Sequence, residues 1–295
     1  MVWGSKHTID GSIHISNRFG ISRMAIGFVL IAVFVSLPDL MVSLIATSQG
    51  MTALAVGDAL GSTIANICLV IGTATLLRKI KIHRTHVVES AEMLFLISLI
   101  PLALLINNVS ALTEGLVLLL VFLFYVFFVV KEKFNVKSQK KVEKGNSDFS
   151  VGQFLVGALA MVLGSFYFVG ASADIARALG ISEAVIGLTL VSFGTTLPEL
   201  IIDFTAIRRG EVALAIGEIL GSAVANLTLV LGSAFILSPK PIHFDAFILP
   251  VGFIVIANSF LVYNFIKHEG IKREQGVFFL LLYAVFIIMN LAIQV

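Results

Sequence analysis

Long apolar runs separated by short polar connections make up most of this chain. The apolar segments lie at roughly 24–46, 51–77, 87–107, 112–130, 150–175, 184–207, 211–237, 244–266 and 275–295. A helix needs about 20 apolar residues to cross the hydrocarbon core of a bilayer, and most of these runs reach that length. The pattern predicts an all-α membrane protein with about ten transmembrane helices, the first of them partial.

The composition points to the same class of protein. Of the 295 residues, 58% are hydrophobic and only 13% are charged, whereas soluble domains carry about 25% charged residues. The net charge is +2, and the basic residues cluster between apolar runs rather than forming one basic face. We therefore expect membrane lipid as a partner and do not expect nucleic acid.

Connections rich in Lys and Arg alternate with connections that hold almost none. The basic ones contain Arg18 and Arg23; Arg78, Lys79, Lys81 and Arg84; Lys131, Lys133, Lys137, Lys140, Lys141 and Lys144; Arg208 and Arg209; and Lys267, Lys272 and Arg273. Because basic loops stay in the cytoplasm, all five are predicted to be cytoplasmic and the C-terminus to lie on the opposite side. The expected location is a prokaryotic plasma membrane.

The chain repeats itself with a shift of 160 residues. ISRMAIGFVLIAVFVSLPDL at 21–40 matches ISEAVIGLTLVSFGTTLPEL at 181–200, and ALAVGDALGSTIANICLVIG at 53–72 matches ALAIGEILGSAVANLTLVLG at 213–232. An odd number of helices in each copy inverts the second copy, as in many secondary transporters. The predicted organisation is a five-helix repeat at 1–130, a cytoplasmic basic loop at 131–149 and an inverted five-helix repeat at 150–295.

The first helix of the first copy is expected to be shortened. Residues 4–22 match residues 164–182, but the apolar turns before Gly164 have no counterpart before Gly4. Either this copy has a degenerate first helix, or the reading frame extends upstream of Met1.

A proline followed by an acid recurs inside two of the apolar runs. Proline lacks an N–H group and clashes with the carbonyl of the residue four positions before it. The motif Ser36-Leu37-Pro38-Asp39 therefore predicts a helix break near Phe34 and Val35, with free carbonyl oxygens and with Asp39 in the first turn of the next half-helix. The second copy repeats the motif with Thr195, Thr196, Pro198 and Glu199.

The helix after each proline motif carries glycines and polar residues at regular spacing. Gly57 and Gly61 allow another backbone to approach closely, and Asp58, Ser62 and Asn66 share one helix face. The second copy gives Gly217, Glu218, Gly221, Ser222 and Asn226. We interpret the serines and asparagines as parts of a shared site, and Asp58 and Glu218 as residues of a mouth or an interface.

The chemistry of these polar groups favours a hard cation. If the two halves pack about a two-fold axis, Asp39 and Glu199 meet at the centre, where two carboxylates repel each other unless a cation or a proton joins them. Carboxylate, hydroxyl, amide and carbonyl oxygens suit calcium and sodium alike. The sequence has no Cys/His cluster that would favour zinc or copper.

These paired motifs resemble the calcium/cation antiporter superfamily and, within it, the sodium/calcium exchangers. SLPDL with GDALGSTIAN, and TTLPEL with GEILGSAVAN, look like the two alpha repeats of that family. The resemblance implies ten helices with ions bound between the repeats. It implies ligands from the side chains of Ser36, Asp39, Ser62, Asn66, Thr195, Thr196, Glu199, Ser222 and Asn226, and from the carbonyls of Ala32, Val35, Ser192 and Thr195.

The chain departs from the family pattern at several of these positions. Asp39 stands where the family usually has glutamate, Val35 where it has threonine, and Asn226 where many members have aspartate. The site therefore has one acid fewer than in those members. These changes leave the coupling ion and the stoichiometry open. Asp58 and Glu218 would compensate for the missing acid if they reached the ion pathway.

The resemblance implies a secondary active transporter that exchanges calcium for sodium by alternating access, without a cofactor and without enzymatic activity. Coupling to protons or potassium is the main alternative. A cation channel is a different class, which the broken helices disfavour. An intramembrane aspartyl protease would need a pair of catalytic aspartates, whereas the central pair here is Asp39 and Glu199.

The predicted orientation is testable in the basic loop at 131–149. Because six lysines face only two glutamates there, a cysteine introduced as Ser138→Cys should react with a membrane-impermeant maleimide only after intact cells are permeabilised. Labelling of intact cells from outside would contradict the predicted topology.

Overall fold

The computed structural model is almost entirely helical. It describes residues 2–19, 21–77, 80–81, 84–104, 111–133, 182–238 and 244–292, together with isolated residues between 152 and 180. The helices are α1 (Val2–Phe19), α2 (Arg23–Ser48), α3 (Thr52–Leu77), α4 (Arg84–Leu104), α5 (Ala111–Lys133), α6 (Glu183–Arg208), α7 (Val212–Leu237), α8 (Ile248–His268) and α9 (Arg273–Ala292). Two short strands, β1 (Ile80–Lys81) and β2 (Gly270–Ile271), pair with each other, and a 3₁₀ turn at Phe244–Phe247 precedes α8.

Seven of the described helices are long and apolar enough to cross a membrane: α2, α3, α5, α6, α7, α8 and α9. Their bounds agree with the predicted apolar segments to within a few residues. The predicted segment 150–175 and most of the predicted loop 131–149 lie outside the described residues. The structure therefore establishes an all-helical membrane protein, while the count of ten helices and the three predicted regions stay predictions.

The repeat seen in the sequence reappears as two matched helix pairs. The helices α2, α3, α6 and α7 each contain 26 residues, and both ends of α6 and α7 lie 160 positions after the ends of α2 and α3. The copies thus fold into the same hairpin of two helices, each hairpin closed by a turn with a glycine of positive φ, Gly50 or Gly210.

Contacts between helix ends show that the two hairpins enter the bundle from opposite faces. Arg23, at the start of α2, forms an ion pair with Glu211 in the turn that joins α6 to α7. The start of α2 therefore lies beside the end of α6. The antiparallel pair Ile80–Ile271 holds the connection after α3 against the turn between α8 and α9, so these two basic connections share a face, as predicted.

The first helix packs along the second half of α6. Ser5 Oγ lies 3.2 Å from Thr205 Oγ1, and Arg209 donates to Asp10 Oδ1 at 2.5 Å. Asp10 lies in the middle of α1 rather than at a helix end. Its carboxylate therefore ties α1 to the turn after α6.

Glycines allow the two hairpins to interlock. A Cβ atom added to Gly57 would lie 2.6 Å from Ala184 O, and one added to Gly61 would lie 2.6 Å from Leu188 O. In the other copy, a Cβ on Gly221 would lie 2.5 Å from Phe28 O. Each GxxxG motif thus presses α3 or α7 against the first half of α6 or α2, which confirms the predicted close approach.

The close approach at Gly61 gives a stability prediction. Gly61→Ala should destabilise the protein by roughly 1–3 kcal/mol because the new methyl group meets backbone that must shift, and the melting temperature in detergent should fall. Gly252→Ala is the matched control, because its Cβ meets nothing within 4 Å and alanine favours a helix. Equal melting temperatures for the two variants would contradict the packing described.

Candidate ion-binding site

The four central helices each contain a widened π-helical segment. These segments are Ile26–Ile31 in α2, Ala65–Val70 in α3, Gly187–Val191 in α6 and Asn226–Val230 in α7. Such segments are rare and often mark functional positions. Those of α3 and α7 contain Asn66 and Asn226, two of the predicted ligands. The π-helical segments themselves were not predicted from the sequence.

The proline motifs of the two copies have different backbones. Ser36 leaves the helical path in α2 (φ −76°, ψ 1°), and Asp39 lies in the first turn of the segment that follows. In α6, however, Pro198 lies inside a continuous helix. The predicted break is thus found at Ser36, one or two residues after the expected position, and the prediction of a second break in α6 is wrong.

Hydroxyl groups account for this difference. Thr196 Oγ1 donates to Ser192 O at 2.7 Å, and Thr195 Oγ1 lies 3.2 Å from Val191 O. The Thr196 bond satisfies a backbone carbonyl in the turn of α6 before Pro198, whereas the single proton of Thr195 is donated to Asp58. In α2, Val35 has no hydroxyl and Ser36 Oγ is directed to Ser222, so the corresponding turn lacks this support.

A first chain of polar groups crosses the interface between the copies. Ser62 Oγ donates to Asp39 Oδ1 at 2.9 Å and lies 3.0 Å from Thr195 Oγ1, which donates to Asp58 Oδ1 at 3.0 Å. Each hydroxyl carries one proton, so each carboxylate receives one donor. Asp39 Oδ2 and Asp58 Oδ2 have no hydrogen-bond partner among the described residues.

A second chain occupies the equivalent place in the other copy. Ser36 Oγ lies 3.3 Å from Ser222 Oγ, which donates to Glu218 Oε1 at 2.7 Å. The carboxyl group of Glu218 also lies next to that of Asp203. Each copy contributes four residues to the two chains, which are Asp39, Ser36, Ser62 and Asp58 in the first copy and Thr195, Ser222, Glu218 and Asp203 in the second.

Asp58 and Glu218 do not have the places assigned to them from the sequence. Both side chains are fully buried, and their hydrogen bonds connect them to Thr195 and Ser222. The interpretation as mouth residues is therefore corrected, and the interface at which both residues lie is the one between the two copies. Asp58 lies one turn before Ser62, and Glu218 lies one turn before Ser222, on the same helix face. Each carboxylate accepts a hydrogen bond from a hydroxyl at the contact between the copies.

Asp203 was not among the site residues predicted from the sequence. It stands at the repeat position of Ser43, is fully buried on α6, and has no partner for either oxygen within the described part of the chain. An acid inside an apolar span is a functional candidate by default. The mismatch of a serine with an aspartate in the repeat alignment was the signal that could have identified it.

The central cluster, defined as Asp39, Asn66, Glu199 and Asn226, contains seven of the 16 buried side-chain atoms that have no partner among the described residues. Both oxygens of Glu199 and both amide atoms of the two asparagines lack a partner of good geometry in the described ranges, and all four side chains are fully buried. Asn226 lies next to the Asp39 carboxylate, and Glu199 is close enough to Asp39 to interact electrostatically. The structure thus brings the two predicted acids together.

Burial without partners is costly for groups of this kind. A buried polar group normally has a hydrogen-bond partner, and an isolated carboxylate costs far more than a neutral group. The central cluster combines two carboxylates with amide and hydroxyl oxygens, which is a ligand set for a hard cation. Among the described residues, no three His, Cys, Asp or Glu side chains lie together as a metal cage, so neutral oxygens would supply most ligands.

The predicted carbonyl ligands are only partly free. Ala32 O accepts the Ser36 N–H at 2.9 Å, and Ser192 O accepts Thr196 Oγ1. Each carbonyl keeps a second lone pair. Val35 and Thr195 lie buried at the same level of α2 and α6.

Comparison with known proteins identifies the family. The family model described as sodium/calcium exchanger protein matches residues 1–131 and 149–292. An uncharacterized membrane protein of Methanocaldococcus jannaschii is 32% identical over 97% of this chain and 92% of its own length. The sodium/calcium exchanger MaX1 of Methanosarcina acetivorans is 27% identical over 98% of this chain and 94% of its own length.

Comparison of structures gives the same result. A structure of the sodium-calcium exchanger NCX_Mj soaked with sodium and strontium ions matches with a TM-score of 0.81 and 31% identity, over 97% of this chain and 93% of that one. The match spans the proline motifs and both helix hairpins. This chain belongs to the sodium/calcium exchanger family.

Proposed function

We propose that this protein exchanges calcium for sodium across the membrane by alternating access, with the ions bound at the central cluster. The observation that carries the proposal is the pairing of Asp39 with Glu199 beside two asparagines whose amide atoms lack a hydrogen-bond partner of good geometry among the described residues. The names of MaX1 and NCX_Mj as sodium/calcium exchangers support it. The complete fold in this proposal has ten helices in two inverted repeats, 1–130 and 150–295, joined by the cytoplasmic loop 131–149.

The central acids would balance the charge of the divalent ion. A bound calcium ion carries two positive charges, and Asp39 and Glu199 supply two negative ones. Neutral oxygens complete the set of six to eight ligands that calcium takes. In this proposal they come from the side chains of Ser36, Ser62, Asn66, Thr195, Thr196, Ser222 and Asn226, and from the carbonyls of Ala32, Val35, Ser192 and Thr195.

The reciprocal packing of the hairpins suits alternating access. The first half of α2 lies on α7 and the first half of α6 lies on α3, through glycines in both places. Ligands therefore come from both copies at one depth, and a movement that opens one face is matched by an equivalent movement that opens the other. The same oxygens would then face each side in turn.

The direct test is uptake of radioactive calcium into proteoliposomes under imposed ion gradients. An outward sodium gradient should drive uptake, whereas proton and potassium gradients of the same size should not. Uptake driven only by a proton or potassium gradient would replace sodium as the coupling ion, and calcium flux without any coupled gradient would indicate a channel.

We expect Glu199→Gln to abolish exchange. The variant leaves a divalent cation with one negative charge in a poorly hydrated site, which costs several kcal/mol, whereas Asn226→Ala removes a neutral dipole and should cost about 1–3 kcal/mol. Sodium-driven calcium uptake should therefore vanish in the first variant and only weaken in the second. Full uptake by Glu199→Gln would place the ions elsewhere.

Asp39→Glu tests how the first acid reaches the ion. If Asp39 is a direct ligand, the longer side chain restores the residue usual in the family, and calcium affinity should be kept or rise. If a water molecule lies between them, the longer chain should displace it and change the preference between sodium and calcium. Competition of sodium with calcium uptake distinguishes these two outcomes.

Thr195→Val tests the hydroxyl between Asp58 and Ser62. The variant keeps the shape of the side chain but leaves Asp58 Oδ1 without its donor, so the melting temperature should fall by an amount that corresponds to roughly 1–3 kcal/mol. Thr63→Val is the control, because that hydroxyl donates to Ala59 O within its own helix. A smaller loss in Thr195→Val than in Thr63→Val would contradict the polar chain.

A further inference from the structure

Asp203 and Glu218 form a pair of carboxylates outside the central cluster. Asp203 lies one helical turn after Glu199 on α6, and Glu218 lies one turn before Ser222 on α7. Both side chains are fully buried, and their carboxyl groups lie next to each other. The charged groups that interact with Asp203 are Glu218 and Glu199, both acids.

The pair has more acceptor oxygens than donors. Ser222 donates to Glu218 Oε1 at 2.7 Å. Glu218 Oε2 and both oxygens of Asp203 have no partner in the part of the chain that the structure describes. Three buried carboxylate oxygens of this pair therefore have no donor among the described residues. Two adjacent carboxylates in a low dielectric are strongly unfavourable unless a positive charge joins them.

The first copy has no such pair. Ser43 stands at the position of Asp203, and its hydroxyl donates to Val230 O at 3.1 Å. Asp58 stands at the position of Glu218 and receives its donor from Thr195. The residue equivalent to Thr195 is Val35, which offers Glu218 no hydroxyl. The acid pair is thus a feature of one side of the bundle only.

The position of the pair relates it to the central cluster. Both residues lie between that cluster and the turn at Arg208–Glu211. Asp203 is roughly one turn from Glu199 on α6, and Glu218 is roughly two turns from Asn226 on α7. A cation moving between the central cluster and this face of the bundle would pass them. The hydroxyls of Ser222 and Ser36 continue from the pair toward the central cluster.

We propose that Asp203 and Glu218, with the Ser222 hydroxyl, form a second cation site that the sequence resemblance does not assign. Carboxylate and hydroxyl oxygens select a hard metal cation, and the two transported ions, sodium and calcium, share that chemistry. The site deepens the proposed function and rests on it, because it lies on the path of the same ions. The pair also adds negative charge near the central cluster, which has Asn226 where many family members have an aspartate.

Binding to purified protein tests the site without transport. The number of sodium and of calcium ions bound at saturation is measured by equilibrium binding of each radioactive ion to wild type, Asp203→Ser and Asp203→Asn. The first variant introduces the residue of the other repeat, and the second keeps the shape of the side chain. Glu274→Gln is the matched control, because it removes an exposed acid from the start of α9.

We expect both Asp203 variants to bind one ion fewer than wild type and Glu274→Gln to bind the same number. The ion whose count falls, sodium or calcium, is the occupant of the site. Unchanged counts for both ions would overturn the proposal and leave the pair joined by a proton. Loss of all binding would also overturn it, because Asp203 would then serve the central cluster or the fold rather than a separate site.

The melting temperature of Asp203→Ser, with and without the ion, provides a second measurement. A purely structural role of Asp203 would not give the changes expected for an ion site. Without sodium or calcium, Asp203→Ser should melt at the wild-type temperature or above, since it removes an unpartnered buried acid. The increase in melting temperature on adding the ion should be smaller than in wild type. An unchanged increase would overturn the proposal.

The two hypotheses fail in different ways. If wild-type protein binds one ion more than Asp203→Ser but shows no sodium-driven calcium uptake, exchange is wrong and the second site stands. If uptake is driven by sodium and the Asp203 variants bind as many ions as wild type, exchange stands and the second site is wrong.

Discussion

Burial of carboxylates without basic partners is the constraint on which the rest of this structure depends. Asp39, Asp58, Glu199, Asp203 and Glu218 are all fully buried, while the fully buried polar side chains of the described residues include no Lys, Arg or His. Acids in such a position need neutral donors, a bound cation or a proton. The hydroxyls of Ser62, Thr195 and Ser222 supply donors to three of the five, and the remaining oxygens have no hydrogen-bond donor among the described residues.

The backbone is built to bring these groups together. Glycines at 57, 61, 217 and 221 allow the helices of the two copies to touch, so that Ser62 of one copy reaches Thr195 of the other. The π-helical segments change the direction of the side chains at Asn66 and Asn226 without ending the helix. Both devices cost stability in an ordinary helix. Their presence at equivalent positions in both copies indicates that the geometry of the centre is what they serve.

The two copies are equivalent in backbone but not in charge. Val35 replaces a hydroxyl that Thr195 retains, and Asp203 replaces a hydroxyl that Ser43 retains. As a result the buried acid on the second helix of each hairpin, Asp58 or Glu218, has a different partner. It is a threonine across the interface in one copy and a second carboxylate in the other. An exchanger works between two unequal solutions, and its two halves need not offer the same ligands to both.

The sequence by itself determined the membrane class, the matched helix hairpins and the pairing of Asp39 with Glu199. It could do so because the apolar runs, the shift of 160 residues and the proline motifs are properties of local sequence. The tertiary structure decided which hydroxyl serves which acid. It placed Asp58 and Glu218 beside the predicted ligands, kept α6 helical through Pro198 and placed the buried Asp203 next to Glu218. The hydroxyl contacts between the copies join residues 133 to 186 positions apart. A helix period specifies which face a residue occupies, but it does not specify which side chain from another helix will meet it there.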